Sequence, residues 1–195
     1  MKKYLLSFAL GLVVAAQVSA QAKWNIDPSH SSIFFNVSHL VISEVTGQFK
    51  KFDASVTADK ADFTDAKINF TADVNSINTD NEQRDAHLKA DDFFNAEKYP
   101  QLKFVGSSLK KVSGNKYKLA GELTIRDVTK KVTFDVVYGG TVTDPYKNIK
   151  AGFKITGKIN RKEYGLKWSA LTEAGGAVVG DEVELVAKIE LVKAK

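Results

Sequence analysis

Arg84, Asp85 and His87 place a cation, an acid and an imidazole within four residues, the side-chain types that general acid–base chemistry uses. Asp85 with His87, or Asp27 with His30, would make an acid and base pair. Polar neighbours in capping and turn segments more often hydrogen-bond locally, which is the competing structural reading. Metal chemistry has less to work with. His30 and His39 are nine residues apart, an odd interval that faces them to opposite sides of one uninterrupted strand, and His87 stands alone. The chain has no cysteine, no His-Glu-x-x-His, no Gly-x-Ser-x-Gly, no phosphate-cradling glycine loop and no dinucleotide fingerprint. The residues therefore predict no catalytic residue, no metal and no cofactor, and so no enzyme. Arg84 and His87 stay candidates for contact with the head group of a ligand, against an internal pair of Arg84 with Asp85 or Asp91.

A helix must position them. Thr79 followed by Glu82 has capping-box spacing, which predicts a helix from Asp80 or Asn81 and a short helical insertion over residues 80–98. Arg84, His87, Leu88 and Asp91 then share one face. Phe93 and Phe94 follow where the helix ends and need an apolar seat, and Pro100 turns Tyr99 extended. The insertion reads as a lid between two halves of a β structure.

Outside the lid the pattern has period two. Ile68, Phe70, Ala72 and Val74 alternate with polar residues, as do Phe134 and Val136, Phe153 and Ile155, and Leu185 and Ile189. Phe35 and Val37, Phe104, and Leu119 and Leu123 carry the same parity in three further strands, and Phe52 to Ala58 completes the set. The fold class is all-β: an antiparallel barrel of about eight strands with a second short helical or irregular segment over 161–171. Turn signals stand at Gly114-Asn115, Arg126-Asp127, Asp144-Pro145 and from Gly175-Gly176 through Gly180-Asp181, with Gly139-Gly140 in another hairpin context. Large rings mixed with Gly106, Gly121, Gly157 and Ala54 fit either a filled core or a lumen.

Residues 1–20 read as a signal peptide: Lys2 and Lys3, an apolar run from Tyr4 to Ala16, and Val18-Ser19-Ala20 before cleavage. The run is shorter than the roughly 20 residues that cross a bilayer. Residues 21–195 are then one domain, periplasmic or secreted, held by core packing without disulfides. The 28 Lys and Arg against 23 Asp and Glu give +5, and losing Lys2 and Lys3 leaves +3. Lys50-Lys51, Lys110-Lys111 and Lys130-Lys131 are scattered without stacking aromatics, so no nucleic-acid partner is expected.

Several spaced motifs together resemble the YceI family of lipocalin-like, polyisoprenoid-binding bacterial proteins. They are Trp24-x-Ile26-Asp27-x-x-His30-Ser31, Phe35-x-Val37-x-His39-Leu40, Gly47-x-Phe49, Arg84-Asp85-x-His87-Leu88-Lys89, Asp92-Phe93-Phe94 before Lys98-Tyr99-Pro100, Gly121-x-Leu123-Thr124 and Asn160-Arg161-x-x-Tyr164-Gly165. The resemblance implies a lipocalin-like barrel whose inward set, joined by Phe93, Phe94 and Trp168, walls an apolar tunnel for an isoprenoid lipid or isoprenoid quinone. It implies sequestration or transport of that lipid in the periplasm. It also admits a transient membrane contact, and a homodimer formed on an edge left by imperfect closure. An enzyme acting on such a lipid through Arg84, Asp85 and His87, and a solid-core structural or adhesion barrel, are the alternatives.

Overall fold

A computed structural model describes residues 21–195, so the expected signal peptide lies outside the described residues. Eleven strands follow in order: β1 Lys23–Ile26, β2 Ser32–His39, β3 Ser43–Phe49, β4 Phe52–Thr57, β5 Lys67–Asp73, β6 Ile77–Asn78, β7 Gln101–Ser113, β8 Lys116–Ile125, β9 Val128–Thr143, β10 Ile149–Asn160 and β11 Val179–Lys193. Three pairs of them are single barrel strands with a break. β1 pairs with β4 while β2 pairs with β3, and β4 pairs with β5 while β3 pairs with β6. The result is an eight-stranded antiparallel up-and-down barrel, which β11 closes by pairing with β10 on one side and with β1 and β2 on the other. Closure is complete in strand order, though Ser43–Gly47 of β3 pair on one side only, with β2.

Parity survives into packing. Phe104, Leu119, Leu123, Phe134 and Val136 are buried, and their alternate neighbours Lys103, Lys118, Glu122 and Asp135 are exposed. The glycines among them have a specific use. A Cβ built on Gly121 would fall inside the ring of Phe104, one on Gly157 inside Phe134, and one on Gly47 inside Phe35. Each of these glycines is thus the seat of a phenylalanine ring, and the empty space the sequence left ambiguous lies elsewhere. Gly139-Gly140 lies in an arm of the β9–β10 hairpin and not at its turn, where it forms a bulge opposite Gly152 and Phe153, with Gly140 at φ +105°. Gly180-Asp181 lies within β11, where the register against β2 shifts.

The insertion is helix α1, Glu82–Lys89, followed by turns up to Tyr99. Its cap differs from the expected box. Asn81 is the N-cap and its side chain accepts from the Arg84 N–H, whereas Thr79 turns inward, where its N–H and hydroxyl donate to the Asp85 carboxylate at 2.8 and 2.6 Å. An Asn at the N-cap does the work the Thr79 hydroxyl was assigned, since either oxygen satisfies a free N–H of the first turn. Because α1 stops at Lys89, Asp91 no longer shares a helical face with Arg84. A 3-10 turn at Arg161–Tyr164 opens the second irregular segment.

Candidate functional site

Ile68, Phe70, Phe153, Ile155, Leu185 and Ile189 face the inside of the closed barrel yet are only partly buried. Side chains in a filled interior would touch neighbours on every side, so these border unfilled space. That space is a chamber of about 160 Å³, adjoined by a second of about 90 Å³ toward α1. The two share Phe49, Leu102, Leu123 and Leu185 as wall residues. Along β11 the lining runs from Val179 to Leu191. At about 3.3 Å per residue and a strand tilt of about 40°, that is roughly 30 Å of barrel axis.

Aromatic rings plug the far end of the larger chamber. Phe63 enters from the β4–β5 loop at φ +58° and packs against Trp24, Phe153 and Tyr138 with ring centroids 4.9, 5.1 and 5.7 Å away. The loop is tied to the wall by the Trp24 indole donating to the Ala58 carbonyl. Strand periodicity missed Phe63 because it belongs to no strand. Leu88 of α1, Phe93, Phe94 and Leu166 cover the smaller chamber.

Fifteen of the eighteen residues expected on the wall border one chamber or the other. Ala72, Val74 and Trp168 do not. Ala72 and Val74 are 0% and 1% exposed, packed where β5 meets the start of β7. Trp168 stacks on Phe93 at 5.7 Å and helps hold the lid ring in place. The polar candidates also part company. Arg84 donates to the Thr79 hydroxyl and carbonyl, both at 2.7 Å, and not to Asp85 or Asp91. Asp85 is buried on Thr79, and His87 Nε2 meets Asp92 at 2.9 Å, its ring edge-on to Phe93 and Trp168. Arg84 and Asp85 thus meet on Thr79 while His87 pairs with Asp92, so the three do not converge on one point, and neither Arg84 nor His87 borders a chamber.

The polar side chain that does reach a chamber wall is one that motif spacing did not single out for this place. Arg161 is 3% exposed, and its guanidinium donates to the carbonyls of Gly180, Leu166, Trp168 and Val179 at 2.7–3.2 Å. Asp181 stands 3.5 Å from its Nη2. Burial lowers the Arg161 pKa from its ordinary value, with Asp181 opposing. Arg126 does similar work nearby, its Nη1 donating to the carbonyls of Asp91, Phe93 and Gly165. Two guanidiniums thus bind the lid and the segment after β10 to the barrel rim. Tyr164 in the same segment is buried, which pushes its phenol up to about 12 and keeps it neutral.

A charged network sits on the outside near β1. Asp27, His30 and Glu190 bring their ligand atoms within 4.8 Å of one another. Lys150 Nζ already lies 2.6 Å from Glu190 and 3.3 Å from Asp27, so an ammonium takes the place a metal ion would need. The hydrogen bond to His30, with Lys150 assisting, holds the Asp27 carboxyl below its ordinary 3.8 against the opposing effect of burial. A depressed carboxylate stabilises the fold above its unfolded pKa, and that stability goes as pH falls from 3.8 through the native value. The unfolding midpoint should therefore drop on acidification below about pH 4, and Asp27→Asn should flatten that limb by no more than about 1 kcal/mol. Thermal melts between pH 2 and 7 measure it. A limb unchanged in the variant would assign the acid loss to other carboxylates.

Residues 24–191 match the family described as YceI-like domain. A UPF0312 protein of Staphylococcus aureus is 38% identical over 168 residues, which cover 86% of this chain and 95% of that protein. A UPF0312 protein of Staphylococcus epidermidis is 37% identical over 169 residues, 86% of this chain and 96% of that one. Among solved structures, Burkholderia cenocepacia BcnA superposes with a TM-score of 0.74 at 25% identity, covering 85% of this chain and 98% of that one. The Campylobacter jejuni YCEI protein gives 0.69 at 29% identity with both chains covered in full. A domain from Saccharophagus degradans described as polyisoprenoid-binding shares the fold alone, with a TM-score of 0.63 at 15% identity, over 88% of this chain and 98% of that one. A closed antiparallel barrel of this topology, matched along nearly its whole length by such relatives, belongs to the YceI-like domain family.

Proposed function

We propose that this protein holds a long apolar lipid, an isoprenoid or isoprenoid quinone, inside its barrel and carries it through the periplasm. The observation that bears the most weight is the interior itself: elongated, incompletely filled, and walled by apolar side chains except for Arg161. The polyisoprenoid-binding description of the Saccharophagus degradans domain adds support at the level of fold only. Each buried CH₂ contributes about 0.8 kcal/mol, so a chain of many isoprene units binds firmly without a recognised head group. The wall offers a head group little. The N–H groups of Arg161 are already given to four carbonyls and Asp181, and leaving a polar group unpaired inside would cost about 2–7 kcal/mol. The chain of the ligand, more than its head, is what the site selects.

Mass spectrometry on the exported protein tests both halves of the proposal. Its polypeptide should begin at Gln21, and its organic extract should contain a stoichiometric long-chain apolar lipid. An empty barrel, or a lipid recovered in chemically altered form after incubation, would replace the carrier with a structural protein or an enzyme.

A further inference from the structure

Among the described residues, the β2–β3 turn is the one place where three consecutive large apolar side chains are exposed. Leu40, Val41 and Ile42 are consecutive, apolar and 38%, 70% and 86% exposed. Leu40 and Val41 both adopt left-handed backbone, φ +53° and +66°, where glycine or asparagine is the usual choice and a β-branched side chain is strained. Leu171, 70% exposed, stands on the neighbouring segment, which meets the turn through the Leu40 N–H to Val178 carbonyl bond and through Val41 against Gly176. A strained turn that holds its largest apolar groups out in water gains nothing inside the molecule, so what it gains lies outside.

We infer that this tip is a membrane foot: it dips into the apolar edge of a lipid bilayer and sets the barrel's smaller chamber against the surface from which lipid is taken. Continuity supports the placement. His39 at the end of β2 pairs with Val179, and Val37, Val179 and Val183 in the same two strands wall the smaller chamber. The occupant follows from size and shape. Four side chains on a convex tip fall far short of the roughly 20–30 residues each partner gives a stable protein interface. A fluid hydrocarbon phase needs no matching groove. The flanking His39 and Glu44 supply no cationic patch, so docking depends on apolar contact and not on lipid charge.

The inference rests on the carrier reading but is tested apart from it. Flotation of the purified protein with phosphatidylcholine vesicles should show binding, unchanged when a third of the lipid is phosphatidylglycerol. Val41→Asn with Ile42→Ser should reduce binding at least tenfold, while the unfolding midpoint holds or rises because Asn tolerates the left-handed turn. Lipid already inside the barrel should remain. A wild type that does not float, a double variant that floats equally, binding that needs phosphatidylglycerol, or a dimer that the double variant splits would each overturn the foot. A lipid-loaded protein that ignores vesicles refutes the foot and leaves the carrier standing; an empty protein that binds them does the reverse.

Discussion

Ala187→Trp is expected to leave the barrel folded and to strip it of lipid. Ala187 lies mid-strand in β11, opposite Ile155 on one side and Ile33 on the other, and all three border the larger chamber. An indole there grows into unfilled space, so it adds contacts and does not force neighbours off their rotamers. The lipid loses what the ring takes: displacing only three methylenes weakens binding by about 2.4 kcal/mol, roughly 60-fold. Ala72→Trp is the contrast. Ala72 is fully buried between Phe52 and Leu102 and borders neither chamber, so the same ring overpacks the core and costs at least about 1–3 kcal/mol. Thermal unfolding read beside extractable lipid separates the two. If Ala187→Trp melts far below wild type, the interior is a packed core and the tunnel is wrong.

The difference between those two alanines was not legible in the sequence. Both sit on the apolar parity of a strand, and parity reports the face of the sheet, not how far the opposite wall stands away. Strands β5 and β7 to β11 were readable because polar residues hold most of the positions between their apolar ones, despite exceptions such as Val105, Val137 and Val186. The breaks in the three composite strands were harder. Ser43–Phe49 has no large apolar residue until Val45 and then only Gly47 and Phe49, so β3 showed too little contrast to be seen. The seats under Phe35, Phe104 and Phe134 depend on cross-strand register, which no single strand encodes. The β2–β3 turn hid for the opposite reason: Leu40-Val41 carries no turn residue, and the backbone conformation is imposed against preference. The contact of Thr79 with Asp85 was not legible, because the spacing of Thr79 and Glu82 pointed to a cap that Asn81 takes instead.

Arg161→Met should be among the most destabilising single changes the molecule can suffer, because this one buried side chain donates to four backbone carbonyls. Methionine keeps the apolar stem and stops where the guanidinium begins, whose carbon lies 6.0 Å from the Phe93 ring. What disappears is the fork of donors to Leu166, Trp168, Val179 and Gly180. Each carbonyl left buried and unpaired costs about 1–3 kcal/mol, and those that swing out to water escape the cost only by unpacking the segment from Leu166 to Val179. A net loss of about 3–5 kcal/mol is expected, which lowers the melting temperature by roughly 10 °C for a domain of this size. The same unpacking opens the wall of the smaller chamber, since Leu166 and Val179 both belong to it. Lipid retention should therefore fall together with stability, the signature that distinguishes this variant from Ala187→Trp. Arg161→Lys should recover little, because one ammonium cannot span carbonyls on both sides of the segment as a planar fork does. Denaturant unfolding of the three proteins gives the decision: a methionine variant within about 1 kcal/mol of wild type would show that the segment is held by Arg126 and the aromatic lid without help from Arg161.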